Sequence, residues 1–273
     1  VYYDNGEIKY EHPLEVFKWN ADKWYEFHTR FTHQVLCPNH KIVYWNNGVG
    51  APKSIRCEDY VNAGCNQHVK IKNYFKSGAS GTSGFSEAEL RLIIAYQADG
   101  YNYAKVHNTK ISKRKIGFHL KKKNKIDRLI YLLSKCDNEY SFIERKKGLK
   151  AGFYDIFSDL PIENYKHFPA EWYNLSDNEL AIILDEVKYW DTSKKNGCST
   201  YTYYSNNKAD RDFIQFVAAS QGFCTTTHSR ERNITIIQNG KSYNYPNAYE
   251  YSVSWTKTKP ISLGRATMVK AKG

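Results

Sequence analysis

The chain has 273 residues, 41% of them hydrophobic, and carries a net charge of +12. That length allows one large domain or two to three smaller ones, and the absence of any run of eighteen apolar residues or of a signal-like start excludes a membrane-spanning role. Six scattered cysteines with no Cys-x-x-Cys pair exclude an evident zinc site or disulfide framework, and fit a reducing cytoplasm.

Residues 1–80 read as strands and turns: 1–3, an Asp4-Asn5-Gly6 turn, 8–10, 14–19, 24–27, and 41–45 before Asn46-Asn47-Gly48. This predicts a small, mostly β domain. The run from Ser77 to Gly84, made of Ser, Gly, Ala and Thr alone, predicts a flexible linker and a domain boundary.

At Ser86, followed three residues on by Glu89, the pattern predicts a capping box opening a helix that ends at Asp99-Gly100. Ser176 and Glu179 repeat the signal ahead of a second apolar helix ending at Asp191. Each serine follows an apolar residue, Phe85 or Leu175, placed to staple onto Leu90 or Leu180. Both helices are apolar over a broad face and both end on a carboxylate. The helix dipole disfavours an acid at that end by roughly 0.3–1 kcal/mol, a penalty that a cation would reverse. Ser86 precedes Asp99 by 13 positions and Ser176 precedes Asp191 by 15. The two extra residues turn a helix by about 200°, so only the aspartate ends can be equivalent.

Between the two helices, 101–108 and 113–120 read as a hairpin, 125–134 as a helix, and 140–145 with 149–157 as a second hairpin. After Asp191 the order returns loosely: a strand over 199–204, a helix over 210–220, then strands over 224–228, 233–238 and 249–255. A repeat of this size predicts two halves related by pseudo-twofold symmetry, with the motif helices packed together.

Leu92-Ile93-Ile94-Ala95-Tyr96-Gln97-Ala98-Asp99-Gly100 resembles the first LAGLIDADG motif of homing endonucleases. The stretch from Leu184 to Asp191, ending Tyr189-Trp190-Asp191-Thr192-Ser193, resembles the second motif of intein-borne members, with Thr192 in place of the usual glycine. The resemblance implies an α+β fold in which helix-strand-strand-helix-strand-strand halves, 81–170 and 171–273, form a DNA-binding saddle. Residues 1–80 would then be a partial Hint-like domain. Its segment from Phe31 to His40 is similar to the splicing-domain stretch that carries Thr-x-x-His, with Cys37 where threonine is expected and His40 as a splicing relic. No nucleophilic Cys or Ser begins the chain and no His-Asn ends it, so splicing by the chain as given is not expected.

The function so implied is site-specific cleavage of double-stranded DNA by a monomer in a bacterial or phage-infected cell. Asp99 and Asp191 are the expected ligands of Mg2+ or Mn2+, which activates water and stabilises the departing oxyanion. Lys150 and Lys257 are the expected basic catalytic pair. The rival for each aspartate is an exposed helix-end residue.

Charge supports a polyanion partner, because residues 101–150 hold 15 Lys/Arg against 4 Asp/Glu. A two-stranded ribbon fits the DNA major groove. Lys105, His107, Lys110, Lys113, Arg114 and Lys115 in the first half, and Tyr201, Tyr203, Arg230, Arg232, Lys257 and Lys259 in the second, are the expected contacts. Lys121, Lys122 and Lys123 are expected on phosphates. His119, His167 and His228 read as ordinary histidines. Rival functions are a cleavage-deficient maturase or DNA-binding regulator, and a split-intein fragment.

Overall fold

A computed structural model describes the chain except for residues 1, 5–6, 10–11, 13, 17, 19–21, 30–31, 65–67, 103–114, 137–140, 147–151, 158–163, 195–196, 239–240, 258–260, 263–265 and 271–273. The fold is α+β, with five α-helices and several small sheets among the described residues.

The N-terminal unit consists of β1 (Tyr2–Asp4), β2 (Glu7–Lys9), β3 (Lys23–His28), β4 (His33–Leu36), β5 (Lys41–Asn46), β6 (Val49–Arg56), α1 (Cys57–Asn62), β7 (Val69–Ile71) and β8 (Lys76–Ser77). Alternation along β3 turns Tyr25 and Phe27 inward, where they meet Ile42, Cys57, Tyr60, Val69 and Ile71 in a core of their own. The strand expected over 14–19 does not form at the described residues there. Leu14 and Val16 stand exposed, and with no neighbouring strand their apolar side chains have no sheet to bury against.

The first half follows as α2 (Glu87–Asp99), β9 (Gly100–Asn102), β10 (Lys115–Leu120), α3 (Lys123–Leu133), β11 (Ser141–Lys146) and β12 (Gly152–Phe157). After a 3-10 turn, Ala170–Asn174, the second half runs α4 (Asp177–Glu186), a 3-10 turn over Val187–Tyr189, β13 (Thr192–Lys194), β14 (Tyr201–Ser205), α5 (Lys208–Ser220), β15 (Phe223–Gln238) and β16 (Lys241–Lys257). The two sheets are ordered β11-β12-β10-β9 and β13-β14-β16-β15. Numbered within its half, each sheet has the order first-second-fourth-third. One hydrophobic cluster takes Leu90, Ile93 and Ile94 of α2, Leu180, Ile183 and Leu184 of α4, and Phe213, Ile214 and Val217 of α5, so the described residues of the two halves share a core. The motif helices α2 and α4 pack directly on each other.

Two features differ from the expectation. The chain does not end in the second half: β17 (Ile261–Ser262) pairs antiparallel with β7, and β18 (Ala266–Lys270) with β3. Ile261–Ser262 and Ala266–Lys270, read in the sequence as part of 171–273, complete the N-terminal sheets instead. Short terminal strands carry unpaired backbone groups, and the open edges of β3 and β7 satisfy them.

The run 77–84 is held rather than free. Gly81 N–H donates to Asn174 O at 2.9 Å and Gly81 O accepts from Ser176 N–H at 2.9 Å. Ser83 donates to Glu179 Oε1 through its amide at 2.8 Å and its hydroxyl at 2.6 Å. At α2 the box is complete, with Ser86 N–H on Glu89 Oε2 at 2.9 Å. At α4 Ser176 still caps and its hydroxyl donates to Glu179 Oε2 at 2.9 Å, but its amide is taken by Gly81, and Glu179 Oε1 serves the preceding segment.

Candidate metal centre and nucleic-acid face

Asp99 closes α2, and Gly100 turns the chain away at once. The glycine is required by approach: a Cβ there would lie 2.2 Å from Tyr96 Cδ2 and 2.8 Å from Tyr96 Cα. On the second side α4 stops at Glu186, the last turn tightens to 3-10, and Trp190 leaves helical conformation. The two extra residues are taken up there, and Asp191 reaches the same place. Thr192 fills the glycine position usefully, its hydroxyl donating to the Val187 carbonyl at 2.8 Å.

One ammonium joins the two carboxylates. Lys125 Nζ, on the first turn of α3, donates to Asp99 Oδ2 and lies 3.8 Å from Asp191 Oδ1. Its side chain is 12% exposed and its ammonium lies 5.8 Å from the centre of the Trp190 ring. A second lysine caps the end of α2: Lys166 Nζ donates to the carbonyls of Tyr96 at 3.2 Å, Gln97 at 3.0 Å and Gly100 at 2.6 Å. The cations that a helix ending in aspartate calls for are therefore present, supplied from other segments. Burial raises the Asp191 carboxyl above its ordinary pKa, Asp99 adds to this, and Lys125 and Lys166 pull it back. Burial lowers Lys166, against the pull of Asp191, Asp99 and Asp210.

The centre is braced by a buried ion cluster. Glu186, fully buried, accepts from Arg91 of α2 at 3.0 Å, from Arg128 Nε of α3 at 3.1 Å and from Trp190 Nε1 at 2.8 Å. Asp185 adds a contact to Arg91 at 2.9 Å. Lys125 and Arg128, three apart and so on one face of α3, grip the second half at two points. Beside Asp191 a cleft of about 590 Å³ is lined by Lys166, His167, Tyr204, Asp210 and Arg232 among others. Asp210, buried, accepts from the Phe168 amide at 3.1 Å and lies 2.9 Å from Nδ1 of His167, whose side chain is 60% exposed.

A divalent cation fits this donor set. Two carboxylates from different helices already share one cation, Lys125, and hard oxygen ligands suit Mg2+ or Mn2+. Among the described residues no group of three or more His, Cys, Asp or Glu is placed to hold a metal.

The other expected residues separate. Lys257 stands exposed at the end of β16 opposite Phe223, four residues beyond Val253, the partner of Tyr203. At ~3.3 Å per residue that is about 13 Å along the strand, so the structure does not bring it to the carboxylates. Tyr203 is buried, its hydroxyl meeting Gln97 Nε2 at 3.4 Å, and Tyr201 stacks on Trp255. Both face the helices, which corrects their assignment as DNA contacts. Alternation leaves Thr202 and Tyr204 on the outer face of β14.

Arg230 and Arg232 are exposed and both pair with Glu250, at 3.1 and 3.0 Å. They lie on the ribbon of β15 and β16, which continues past the five residues of β16 paired to β14. Lys121, Lys122 and Lys123 are exposed at the start of α3. Lys115 begins β10 opposite Phe157. Lys105, His107, Lys110, Lys113, Arg114, Lys150 and Lys259 lie outside the described residues. His40 is exposed in the N-terminal unit, its carbonyl accepting from the Cys57 amide at 2.8 Å.

No helix among the described residues is long and apolar enough to cross a membrane. No protein-family model matches the chain. Among curated proteins it is similar to the ribonucleoside-diphosphate reductase subunit beta of Aquifex aeolicus (strain VF5), 29% identical over 154 residues, 52% of this chain and 21% of that protein. The match thus spans about a fifth of that relative's length. Solved structures similar to it include the homing endonuclease I-DmoI in complex with DNA and Ca, at TM-score 0.44 and 11% identity over 62% of this chain and 83% of that one. They also include the homing endonuclease I-WcaI bound to its DNA recognition sequence, at TM-score 0.31 and 13% identity over 61% and 78% of the two chains.

Proposed function

We propose that the chain is a site-specific, divalent-metal-dependent endodeoxyribonuclease of the LAGLIDADG type, acting as a monomer on double-stranded DNA. The observation that carries this reading is the meeting of Asp99 and Asp191, from helices about ninety residues apart, at the single ammonium of Lys125. An exposed helix-end aspartate would have no reason to be gathered with its counterpart. Asp99 and Asp191 would hold Mg2+ or Mn2+, which would supply an activated water and stabilise the departing oxyanion of a phosphodiester. The chain's own residues orient that site: Lys166 ties off α2, and Glu186 with Arg91 and Arg128 fixes the helix ends against each other.

The matched order of the two sheets supports a pseudo-twofold pair of halves, one for each strand of a duplex. The charge excess over 101–150 supports DNA as the polyanion, with phosphates met chiefly by the first half. The β unit formed by both ends of the chain supports a partial splicing-type domain with the nuclease inserted into it, and the match to a fifth of a longer protein agrees with an element carried inside a host chain.

The test uses a duplex selected from a randomised library, each strand end-labelled, with a binding assay on the same DNA. Asp99→Asn and Asp191→Asn should each bind but fail to make the double-strand cut, since the amide keeps the shape and loses the charge. Excess EDTA should stop the parent. Full double-strand cutting by Asp191→Asn, or undiminished cutting in EDTA, overturns the reading.

A further inference from the structure

The geometry points to Lys125 as a built-in counter-ion that holds Asp99 and Asp191 together until a divalent cation displaces it, so that this lysine sets how readily the centre loads metal. The inference rests on the metal-centre reading above. Two carboxylates on packed helix ends repel each other, more strongly in partly buried surroundings than in water. Lys125 is in direct contact with both and is itself 12% exposed, whereas Lys166 acts on them from the end of α2 without an ion-pair contact to either among the described residues.

Its neighbours show why this lysine, and not another, would give way. Lys166 is engaged by three backbone carbonyls at the end of α2, which no divalent ion on the carboxylates would replace. Arg128, one turn further along α3, is locked to fully buried Glu186. Among the described residues the Lys125 ammonium has the two carboxylates and the nearby face of Trp190 as its partners. It is at the third position of α3, on a flexible four-carbon stem, so its ammonium can swing aside while Arg128 keeps the helix docked. The second half does not duplicate it: near the start of α5 Asp210 is buried, with the Phe168 amide and His167 as its partners. One lysine therefore serves both carboxylates, and loading at the two is coupled through it.

The test is a titration of the full chain without DNA, following free Mn2+ by electron paramagnetic resonance, with thermal melting in EDTA alongside. Lys125→Met should bind Mn2+ roughly tenfold more tightly than the parent, which corresponds to removing about 1.4 kcal/mol of competition. It should also melt lower in EDTA and gain more on adding Mn2+. Lys125→Arg, which restores the charge, should recover the EDTA melt and the weaker Mn2+ binding. Lys125→Gln, whose amide keeps a hydrogen bond, covers the case in which the methionine variant does not fold. Parental Mn2+ affinity in folded Lys125→Met or Lys125→Gln overturns the inference, as does loss of Mn2+ binding in either. Asp99→Asn/Asp191→Asn separates the two levels: if it abolishes Mn2+ binding while Lys125→Met leaves it unchanged, only the role of Lys125 fails. If it binds Mn2+ like the parent, the metal-centre reading fails first.

Discussion

Arg128 of the first half donates through Nε to Glu186 of the second at 3.1 Å, in a site where the carboxylate is wholly shut off from solvent. Arg91 and the Trp190 indole complete the set, so Glu186 is satisfied from three elements. Removing its charge leaves two guanidinium groups partly buried without it. Glu186→Gln should lose about 3–5 kcal/mol of stability, the range for breaking a buried pair from one side, read as the shift in urea midpoint at unchanged slope. A loss under about 1 kcal/mol would place the pair among surface ion pairs.

The raised pKa of Asp191 has a definite sign in stability. Between its ordinary value of 3.8 and its higher folded value, the native state binds more protons than the unfolded one, so stability falls as pH rises through that window. Asp191→Asn is fixed in the neutral form and escapes this fall. In EDTA it should melt above the parent at pH 7, and the gap should close as pH drops below 3.8. Parallel melting curves at every pH would contradict the burial argument.

Gly100→Ala tests the turn after the first carboxylate. The new methyl would meet Tyr96 Cα, and Tyr96 is buried in the core, so backbone has to move. We expect about 1–3 kcal/mol of destabilisation, as for other overpacked sites, together with reduced cutting because Asp99 is displaced. Calorimetry and the strand-labelled assay check the two parts separately.

Tyr203 and Tyr204 are adjacent in sequence and opposite in role. Tyr203→Phe removes the hydroxyl that meets Gln97 and should destabilise the fold by about 0.5–1.5 kcal/mol, since the buried Gln97 amide loses one hydrogen bond and keeps the one to Asp210. Tyr204→Ala, on the exposed side of β14, should leave the melt unchanged and weaken binding to the selected duplex. The reverse pairing of effects would mean that the other face of the sheet meets DNA.

Lys121 and Lys122 stand exposed at the start of α3. If each meets a phosphate, replacing both by alanine should reduce the slope of log K against log salt by about 0.9 per residue, with little change in sequence preference. Fluorescence anisotropy at several salt concentrations measures it, and an unaltered slope would remove them from the interface.

Much of the centre was legible because it is local. A serine three residues before a glutamate, an apolar face and a terminal aspartate are all short-range signals, and both helices start where they predict; α2 also ends at its aspartate, whereas α4 stops at Glu186 and gives way to a 3-10 turn before Asp191. Lys125 and Lys166 were not legible: one lies 26 residues from Asp99, the other 66 residues from Gly100, and nothing in their own neighbourhoods marks them among 40 basic residues. Tyr201 and Tyr203 share a face by alternation, but period two does not say which face is inward; the packing of Tyr203 against Gln97 does. The separate strands expected over 224–228, 233–238 and 249–255 belong to one long ribbon of β15 and β16, in which a bulge between Arg232 and Ile234 takes up Pro246.

The return of β17 and β18 to β7 and β3 gives the chain the topology of a host and a guest. It leaves the small β unit after β8 and re-enters it at Ile261, so the two halves with their shared core form a single excursion from one scaffold. The frame, in turn, leashes both ends of the guest. Unfolding of the two-half core therefore leaves its ends tethered at β8 and β17, and refolding starts from a closed loop rather than an open chain.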